Sequence, residues 1–187
     1  MLEIVPTELE EVILIAPKRF GDDRGWFSET WNSARLRDHG VAVDFVQDNH
    51  SYSADAGTLR GLHYQAPPHA QTKLVRCSRG AIRDVAVDVR KGSPTFGHWI
   101  AQELSADNGL QLLVPAGFLH GFVTLVADTE VQYKVDAYYN AAADGAVRWD
   151  SVDVDWQFSS PPILSDKDRQ APSFADWKTP FIYETTS

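Results

Sequence analysis

Side chains able to transfer protons or bind anions are concentrated in five short stretches of the chain. These stretches are residues 22–25, 47–51, 59–65, 115–122 and 165–168. Lys73 and Tyr133 stand apart from them, each inside a strand-like segment. Histidine, aspartate and tyrosine are common enzymatic acids and bases, and arginine and lysine bind phosphate groups. The sequence therefore predicts a polar site that the fold assembles from distant positions.

Lys73 and Tyr133 are both predicted to point into the protein interior. Because successive strand residues face opposite sides, Lys73 shares its side with Val75 and Cys77, and Tyr133 alternates in the same way with two valines. Taken alone, Tyr133 is better explained as a core tyrosine with a satisfied hydroxyl. An unpaired buried ammonium is costly, so Lys73 indicates either a structural ion pair or a ligand site.

The stretch 59–65 leaves the direction of two charged side chains open. In a regular strand, His63 and Gly61 face one side of the sheet and Arg60 faces the other. Gly61 is also a candidate for a β-bulge, which would re-aim one of these side chains. Arg60 and His63 therefore either share a cavity or lie on opposite faces. A single histidine of this kind is more often structural than catalytic.

The pattern Pro-x-Gly-x-x-His over residues 115–120 is similar to the second sequence motif of cupins. In metal-binding cupins, the first motif supplies His-x-His and a later glutamate as further ligands. Here the corresponding residues are His63-Tyr64-Gln65, so the second histidine and the glutamate are missing. A transition metal needs three or four such ligands, and the single cysteine cannot form a thiolate zinc site. We expect a cupin fold without a metal.

The elements that must position these residues are mostly short strands. Strands are predicted over residues 12–15, 26–31, 73–77, 82–89, 111–114, 117–126 and 129–139. In the segment 82–89, valines alternate with other residues, which predicts an antiparallel strand with one face exposed. A short helix is predicted from Asn32 to His39, with Gly40 ending it, and another is predicted to begin near Ser165.

This pattern predicts an all-β fold. Long helices, βαβ alternation and internal repeats are missing from the sequence, which favours a sandwich, a jelly roll or a closed barrel. The length of 187 residues fits one domain, residues 1–187. Residues 145–187 are rich in tryptophan and proline, and we expect them to form a C-terminal wrap over the barrel.

The overall composition excludes several classes of partner. The formal net charge of −9 argues against nucleic acid, which requires a basic surface, although a local group of cations can still hold a diphosphate. No apolar run approaches the roughly 20 residues of a membrane helix, so no membrane association is expected. The N-terminus shows no basic and apolar leader, which makes a cytoplasmic location the default expectation.

Taken together, the motifs resemble the dTDP-4-dehydrorhamnose 3,5-epimerase family. The resemblance runs from about residue 13 to residue 172, and its strongest pieces are residues 20–25, 46–51, 59–65, 73–75, 93–97, 115–122 and 164–168. Each piece alone is weak, but their order along one chain is specific. The resemblance implies a cupin-type double-stranded β-helix, or jelly roll, with one short N-terminal helix and short C-terminal helical segments. It also implies a homodimer and a dTDP-4-keto-6-deoxyhexose substrate.

The resemblance also assigns roles to residues. His63 is the expected general base, oriented by Asp168, Tyr133 is the general acid on the opposite face of the sugar, and Lys73 lies near the C4 oxygen. The expected substrate-binding residues are Arg24, Phe27, Glu29, Gln47, Asp48, Asn49, Arg60, His120, Tyr139, Asp144 and Lys167. Among these, Arg24, Arg60 and Lys167 would hold the diphosphate, and Tyr139 would stack on the thymine. Asp144 occupies a position where many members have glutamate.

The expected chemistry agrees with these residue types. The protons at C3 and C5 flank a ketone, so removal of either one gives an enolate, and inversion requires a base on one face and a proton donor on the other. Histidine is suited to the first task near neutral pH, and a cation stabilises the charge on the C4 oxygen. No cofactor is expected, because the chain has neither a dinucleotide-binding glycine motif nor a P-loop.

Three other functions stay open. The nearest is an enzyme of the same scaffold that epimerises one carbon only, or a 3,4-ketoisomerase; His63, Asp168 and Tyr133 together favour an epimerase over an isomerase. The second is a non-catalytic cupin that binds a sugar nucleotide, favoured if His63 and Asp168 lie far apart. The third, a metal-dependent cupin oxygenase, is disfavoured by the missing ligands.

Overall fold

The computed structural model describes residues 2–158 and 160–184. The strands of the first half are β1 (Leu2–Val5), β2 (Ile13–Pro17), β3 (Arg19–Asp22), β4 (Gly25–Ser28), β5 (Gln47–Ser53), β6 (Leu59–Gln65), β7 (Lys73–Arg79) and β8 (Ala81–Asp88). Those of the second half are β9 (Trp99–Ser105), β10 (Gln111–Val114), β11 (Phe118–Thr124), β12 (Thr129–Val135) and β13 (Asp144–Ala146). The helical segments are α1 (Ser33–Asp38), a 3₁₀ turn (Trp149–Ser151) and α2 (Asp166–Gln170).

Two antiparallel sheets form the body of the described part of the chain. One has six strands in the order β1-β2-β10-β7-β12-β5, and the other has five in the order β13-β6-β11-β8-β9. Their facing sides share one core, in which Val75 and Val131 of the first sheet meet Ile82 and Phe122 of the second. This arrangement confirms the predicted all-β jelly roll with its short N-terminal and C-terminal helical segments.

Strand β8 is buried on both faces, so the prediction of an exposed face was wrong. Val85 and Val87 are fully buried, and so are Ala86 and Asp88 on the other side. The reason is that β8 lies between β9 and β11, with one face in the barrel and the other covered by the C-terminal segment. Trp156 belongs to the apolar cluster on that outer face.

The C-terminal segment follows the outer face of the five-stranded sheet. Isolated bridges join Thr58 to Ile163 and Lys91 to Ile182. Between these bridges, α2 begins after Ser165, whose Oγ accepts a hydrogen bond from the backbone N–H of Asp168. The predicted helix start at Ser165 is confirmed, and this cap fixes the position of Asp168 at the edge of the barrel.

Other predicted bounds agree with the structure to within a few residues. Helix α1 begins after Asn32, whose side chain caps it, and Gly40 follows it with a positive φ of 83°. The strand predicted over residues 26–31 ends at Ser28, because its partner β3 pairs with it only to that point. Within the described residues, no helix is both long and apolar enough to cross a membrane.

Candidate active site

A cavity of about 420 Å³ opens at one end of the barrel. The six-stranded sheet contributes Lys73 and Tyr133 to its wall, and the five-stranded sheet contributes His63 and His120. Below them, the barrel is filled by apolar side chains. The inward direction predicted for Lys73 and Tyr133 is therefore confirmed, and both side chains lie on the cavity wall above the core.

A β-bulge in β6 brings Arg60 and His63 to the same cavity. His63 is paired with His120 and Arg60 with Phe122, so β6 uses one residue more than β11 across this span. An extra residue reverses the side to which the preceding side chain points. Both Arg60 and His63 consequently line the cavity, which settles the question that the sequence left open.

Gly61 makes this bulge possible. Its φ is +142°, which side chains other than that of glycine rarely adopt, and a Cβ placed there would lie 2.6 Å from the Cα of Gly121. The two backbones therefore approach each other more closely than any larger residue would permit.

His63 and Asp168 form a hydrogen-bonded pair at the cavity wall. The Nε2 of His63 donates to the Oδ1 of Asp168 at 2.5 Å, and the Ser165 hydroxyl donates to Oδ2 at 2.9 Å. Burial raises the pKa of Asp168, but the hydrogen bonds from His63 and Ser165 outweigh it and hold that pKa below its usual value. Asp168 thus stays ionised and fixes the tautomer of His63, whose Nδ1 is left to act as a base.

Tyr133 faces this pair from the other sheet. Burial, together with the negative charge of Asp144, raises the pKa of the Tyr133 phenol, while the positive charge of Arg60 opposes that rise. The phenol is therefore protonated at neutral pH. A base on one sheet and a proton donor on the other can act on opposite faces of a ring that lies between them.

Lys73 is the cation on the six-stranded side of the cavity. Burial lowers the pKa of its ammonium to about 8, although the charges of Asp84 and Asp144 raise it. The group is thus mostly charged at neutral pH and close to its titration range. A cation in such surroundings can stabilise an oxygen on which negative charge develops.

His120 is paired with Asp84, an aspartate that the strand pattern did not identify as a site residue. The Nε2 of His120 donates to the Oδ1 of Asp84 at 2.7 Å, and both side chains are buried. Asp84 was missed because β8 was expected to expose the residues between its valines. Its inward side, shared with Ile82 and Ala86, is the signal that could have identified it. Among the described residues, no three histidine, cysteine, aspartate or glutamate side chains converge as a metal site requires.

Five of the expected substrate-binding residues form a connected group at the rim. Lys167 donates to the Oδ2 of Asp144 at 2.5 Å, and the hydroxyl of Tyr139 lies 3.4 Å from the same oxygen. The backbone N–H of Tyr139 donates to Gln47 at 3.0 Å, and the amide of Gln47 donates to Asn49 at 2.9 Å. Because Lys167 also lines the cavity, this rim is continuous with the wall that carries His63.

Four other expected binding residues do not line the cavity. Asp48 lies on the outer side of β5, where Lys134 donates to both of its oxygens at 2.9 Å. Arg24 and Phe27 lie on the β3–β4 hairpin. The side chain of Arg24 is 90% exposed, and Phe27 is 69% exposed. Glu29 pairs with Arg35 at 2.9 Å. Asp48 points outward because successive residues of β5 face opposite sides. Among the described residues, β3 and β4 pair only with each other, so strand pairing does not bring Arg24 and Phe27 to the cavity.

Known proteins are similar to this chain over most of its length. The family model described as dTDP-4-dehydrorhamnose 3,5-epimerase matches residues 6–176. An enzyme of that name from Sinorhizobium fredii is 51% identical over 177 residues, which cover 94% of this chain and 91% of the relative. The family match therefore includes every residue discussed in the cavity.

Solved structures show the same fold. The dTDP-6-deoxy-D-glucose-3,5-epimerase of Legionella pneumophila, in complex with dTDP-4-keto-L-rhamnose, superposes with a TM-score of 0.94 at 38% identity, over 98% of this chain and all of that one. A 3′-monoepimerase of Streptomyces bikiniensis, in complex with dTDP-quinovose, gives a TM-score of 0.85 at 33% identity, over 91% and 87% of the two chains. On the family match and the shared sequence, the chain belongs to the dTDP-4-dehydrorhamnose 3,5-epimerase family.

Proposed function

We propose that the protein inverts C3 and C5 of dTDP-4-dehydro-6-deoxy-D-glucose and so produces dTDP-4-dehydro-L-rhamnose. The observation that carries the proposal is the hydrogen-bonded His63–Asp168 pair facing Tyr133 across one cavity. Its occurrence in a chain 51% identical to a 3,5-epimerase makes this substrate the first to test.

Each inversion is a pair of proton transfers. The Nδ1 of His63 takes the proton from the carbon next to the ketone, and the electrons of the broken C–H bond move into the carbonyl to give an enolate. Lys73 stabilises the negative C4 oxygen. Tyr133 then protonates the carbon from the other face, and solvent returns a proton to Tyr133 and removes one from His63. Only protons move, so the cycle needs no redox cofactor.

The rim group is suited to the nucleotide. Lys167 and Arg60 supply positive charge for a diphosphate, and the ring of Tyr139 is 60% exposed and free to stack on a base. Asp144 contacts both Lys167 and Tyr139 through one oxygen, so an aspartate at this position is long enough to reach both side chains.

A homodimer accounts for the binding residues that lie away from the cavity. The β3–β4 hairpin exposes Phe20 and Phe27 on one face and Trp26 on the other, with Arg24, which pairs with Asp22, at its turn. Exposed aromatic groups of this kind mark contact surfaces. The proposal is that the hairpin of one subunit reaches the cavity rim of the other, where its Arg24 meets the diphosphate.

The alternatives have less support. A non-catalytic sugar-nucleotide-binding cupin would be favoured if His63 and Asp168 lay apart, but they are 2.5 Å apart. Epimerisation at a single carbon, as in a secondary-metabolite pathway, is represented by the monoepimerase at 33% identity, against 51% for the 3,5-epimerase. The double inversion is therefore the first choice.

The test is incubation with dTDP-4-keto-6-deoxyglucose in deuterated water, followed by mass spectrometry and NMR of the sugar. We expect deuterium at both C3 and C5, with the product trapped by a reductase. Exchange at one carbon would establish a single-site epimerase, and no exchange would favour the binding protein.

A further inference from the structure

Asp84 is a fully buried carboxylate directly beneath the cavity. It lies on the barrel-facing side of β8, between Ile82 and Ala86 of the apolar core. Its Oδ1 accepts the hydrogen bond from His120, but its Oδ2 is buried without a hydrogen-bond partner among the described residues. Because a buried carboxylate oxygen without a protein partner is expensive, the cavity groups next to it have to be considered as what compensates this residue.

Asp88 shows what a structural aspartate looks like on the same strand. It is equally buried and faces the same side of β8. Both of its oxygens are engaged, Oδ1 by Arg90 and Oδ2 by Arg90, Ser93 and Thr95. The unpaired oxygen of Asp84 is therefore a property of its place next to the cavity, not of this strand in general.

Two cavity groups depend on Asp84. It holds the Nε2 of His120, which leaves Nδ1 as the ring nitrogen available to a ligand. It is also the acid with the largest influence on Lys73, whose ammonium is otherwise destabilised by burial. His120 and Lys73 come from different sheets, so one carboxylate connects the two sides of the cavity.

We propose that Asp84 is a positioning residue of the reaction, which holds the ring of His120 in one orientation and compensates the buried ammonium of Lys73 beside the substrate oxygen that becomes negative. The proposal rests on the proposed epimerase function. Asp84 itself lies beneath the cavity wall, so it acts through these two side chains and does not touch the reacting carbons.

The charge of Lys73 has several neighbours that must be considered together. The acids acting on it are Asp84 on β8 and Asp144 on β13, and Lys167 on α2 opposes them. The other titratable or charged groups lining the cavity are Arg60, His63, His120, Tyr133 and Asp168. Removing the charge of Asp84 alone leaves Asp144 and these groups in place, so its separate contribution can be measured.

The test compares the wild-type protein with Asp84→Asn and with the matched control Asp88→Asn. Deuterium exchange and the pH profiles of kcat and kcat/KM are measured on all three. For Asp84→Asn we expect kcat to fall roughly tenfold, less than the loss of a direct oxyanion donor, with KM little changed. We expect the alkaline limb of kcat/KM to move to lower pH by about one unit, because Lys73 loses its main compensating charge.

The Asp88→Asn control distinguishes an effect on the reaction from an effect on folding stability. Asp88→Asn should lower the melting temperature and leave the shape and position of the pH profile unchanged. If Asp84→Asn also only lowers the melting temperature, or keeps the wild-type profile and kcat, the proposal is overturned. If the wild-type protein itself exchanges no deuterium, the proposed function has failed first, and that result is distinguishable from a failure confined to Asp84.

Discussion

Two histidine–carboxylate pairs place their histidines on neighbouring strands that line the cavity, and they differ in what surrounds the carboxylate. Asp168 has both oxygens hydrogen-bonded, whereas Asp84 has one. His63 keeps a side chain that is 31% exposed, and that of His120 is 8% exposed. The first pair is accessible enough to move a proton to and from substrate, and the second is suited to holding its surroundings in place.

Lys73 predicts a specific pH dependence. Burial lowers its pKa to about 8, so its ammonium is charged below that pH and neutral above it. Because this charge is proposed to stabilise the enolate, kcat/KM should fall as the pH rises through about 8. Lys73→Arg keeps a charge that does not titrate in this range and should move the limb to higher pH. An unchanged limb in Lys73→Arg would assign it to another group.

Tyr133→Phe should separate the two halves of the reaction. Without the phenol, protonation from the far face slows by roughly 10²- to 10⁴-fold, while His63 still removes the proton, exchanges it with solvent and returns a deuteron to the same face. Solvent deuterium should therefore enter the recovered substrate faster than product forms. Tyr183→Phe is the control, since that ring packs on Arg90 away from the cavity. Equal losses of exchange and product formation would contradict the assignment of Tyr133.

Strand alternation predicted that the side chains of Lys73 and Tyr133 point inward, because each shares its face of the strand with apolar residues. The same reasoning did not find Asp84. The valines of β8 identify its outer face as buried, but they do not show that its inner face is buried as well. The valine face is covered by the distant segment carrying Trp156, whereas the inner face is covered by the other sheet, and the local pattern shows neither of these partners.

At the scale of elements, one inserted residue in β6 decides whether the site exists. Without the bulge, Arg60 and His63 would point to opposite sides of the sheet. Local sequence cannot specify this, since Gly61 is compatible with both a regular strand and a bulge. The cause lies in the partner strand, where Gly121 permits the close approach.

Gly61→Ala tests the bulge. An alanine there must adopt an unfavourable φ and clash with the backbone of β11, so we expect a loss of more than about 2 kcal/mol in unfolding free energy. Gly57 also has a positive φ, but nothing lies within 4 Å of the position that an alanine methyl group would take there. Gly57→Ala should therefore cost about 1 kcal/mol and leave activity intact. Urea denaturation measures both, and equal losses would contradict the close-contact explanation.

At the scale of the whole molecule, the proposed dimer joins the cavity of one subunit to the hairpin of the other. The sequence placed Arg24 and Phe27 with the binding residues through resemblance, and nothing in the strand pattern indicates where a hairpin points. In one chain these side chains are exposed and outside the cavity. A dimer reconciles the two observations, since a symmetric pair exchanges identical hairpins.

Subunit complementation tests this arrangement. Arg24→Ala and His63→Ala are each expected to be nearly inactive at substrate concentrations below KM. In a mixed dimer, the His63 of one subunit meets the Arg24 of the other, and one of the two sites is wholly wild type. Random mixing by co-refolding should therefore restore about a quarter of wild-type activity. His50, which lies on the outer side of β5 and pairs with Glu130, provides the control: His50→Ala alone should keep wild-type activity, and its mixture with Arg24→Ala should show about half of wild-type activity whichever subunit Arg24 serves. If the first mixture stays as inactive as its parents while two differently tagged subunits purify together as mixed dimers, Arg24 serves its own subunit and the exchange of hairpins is wrong.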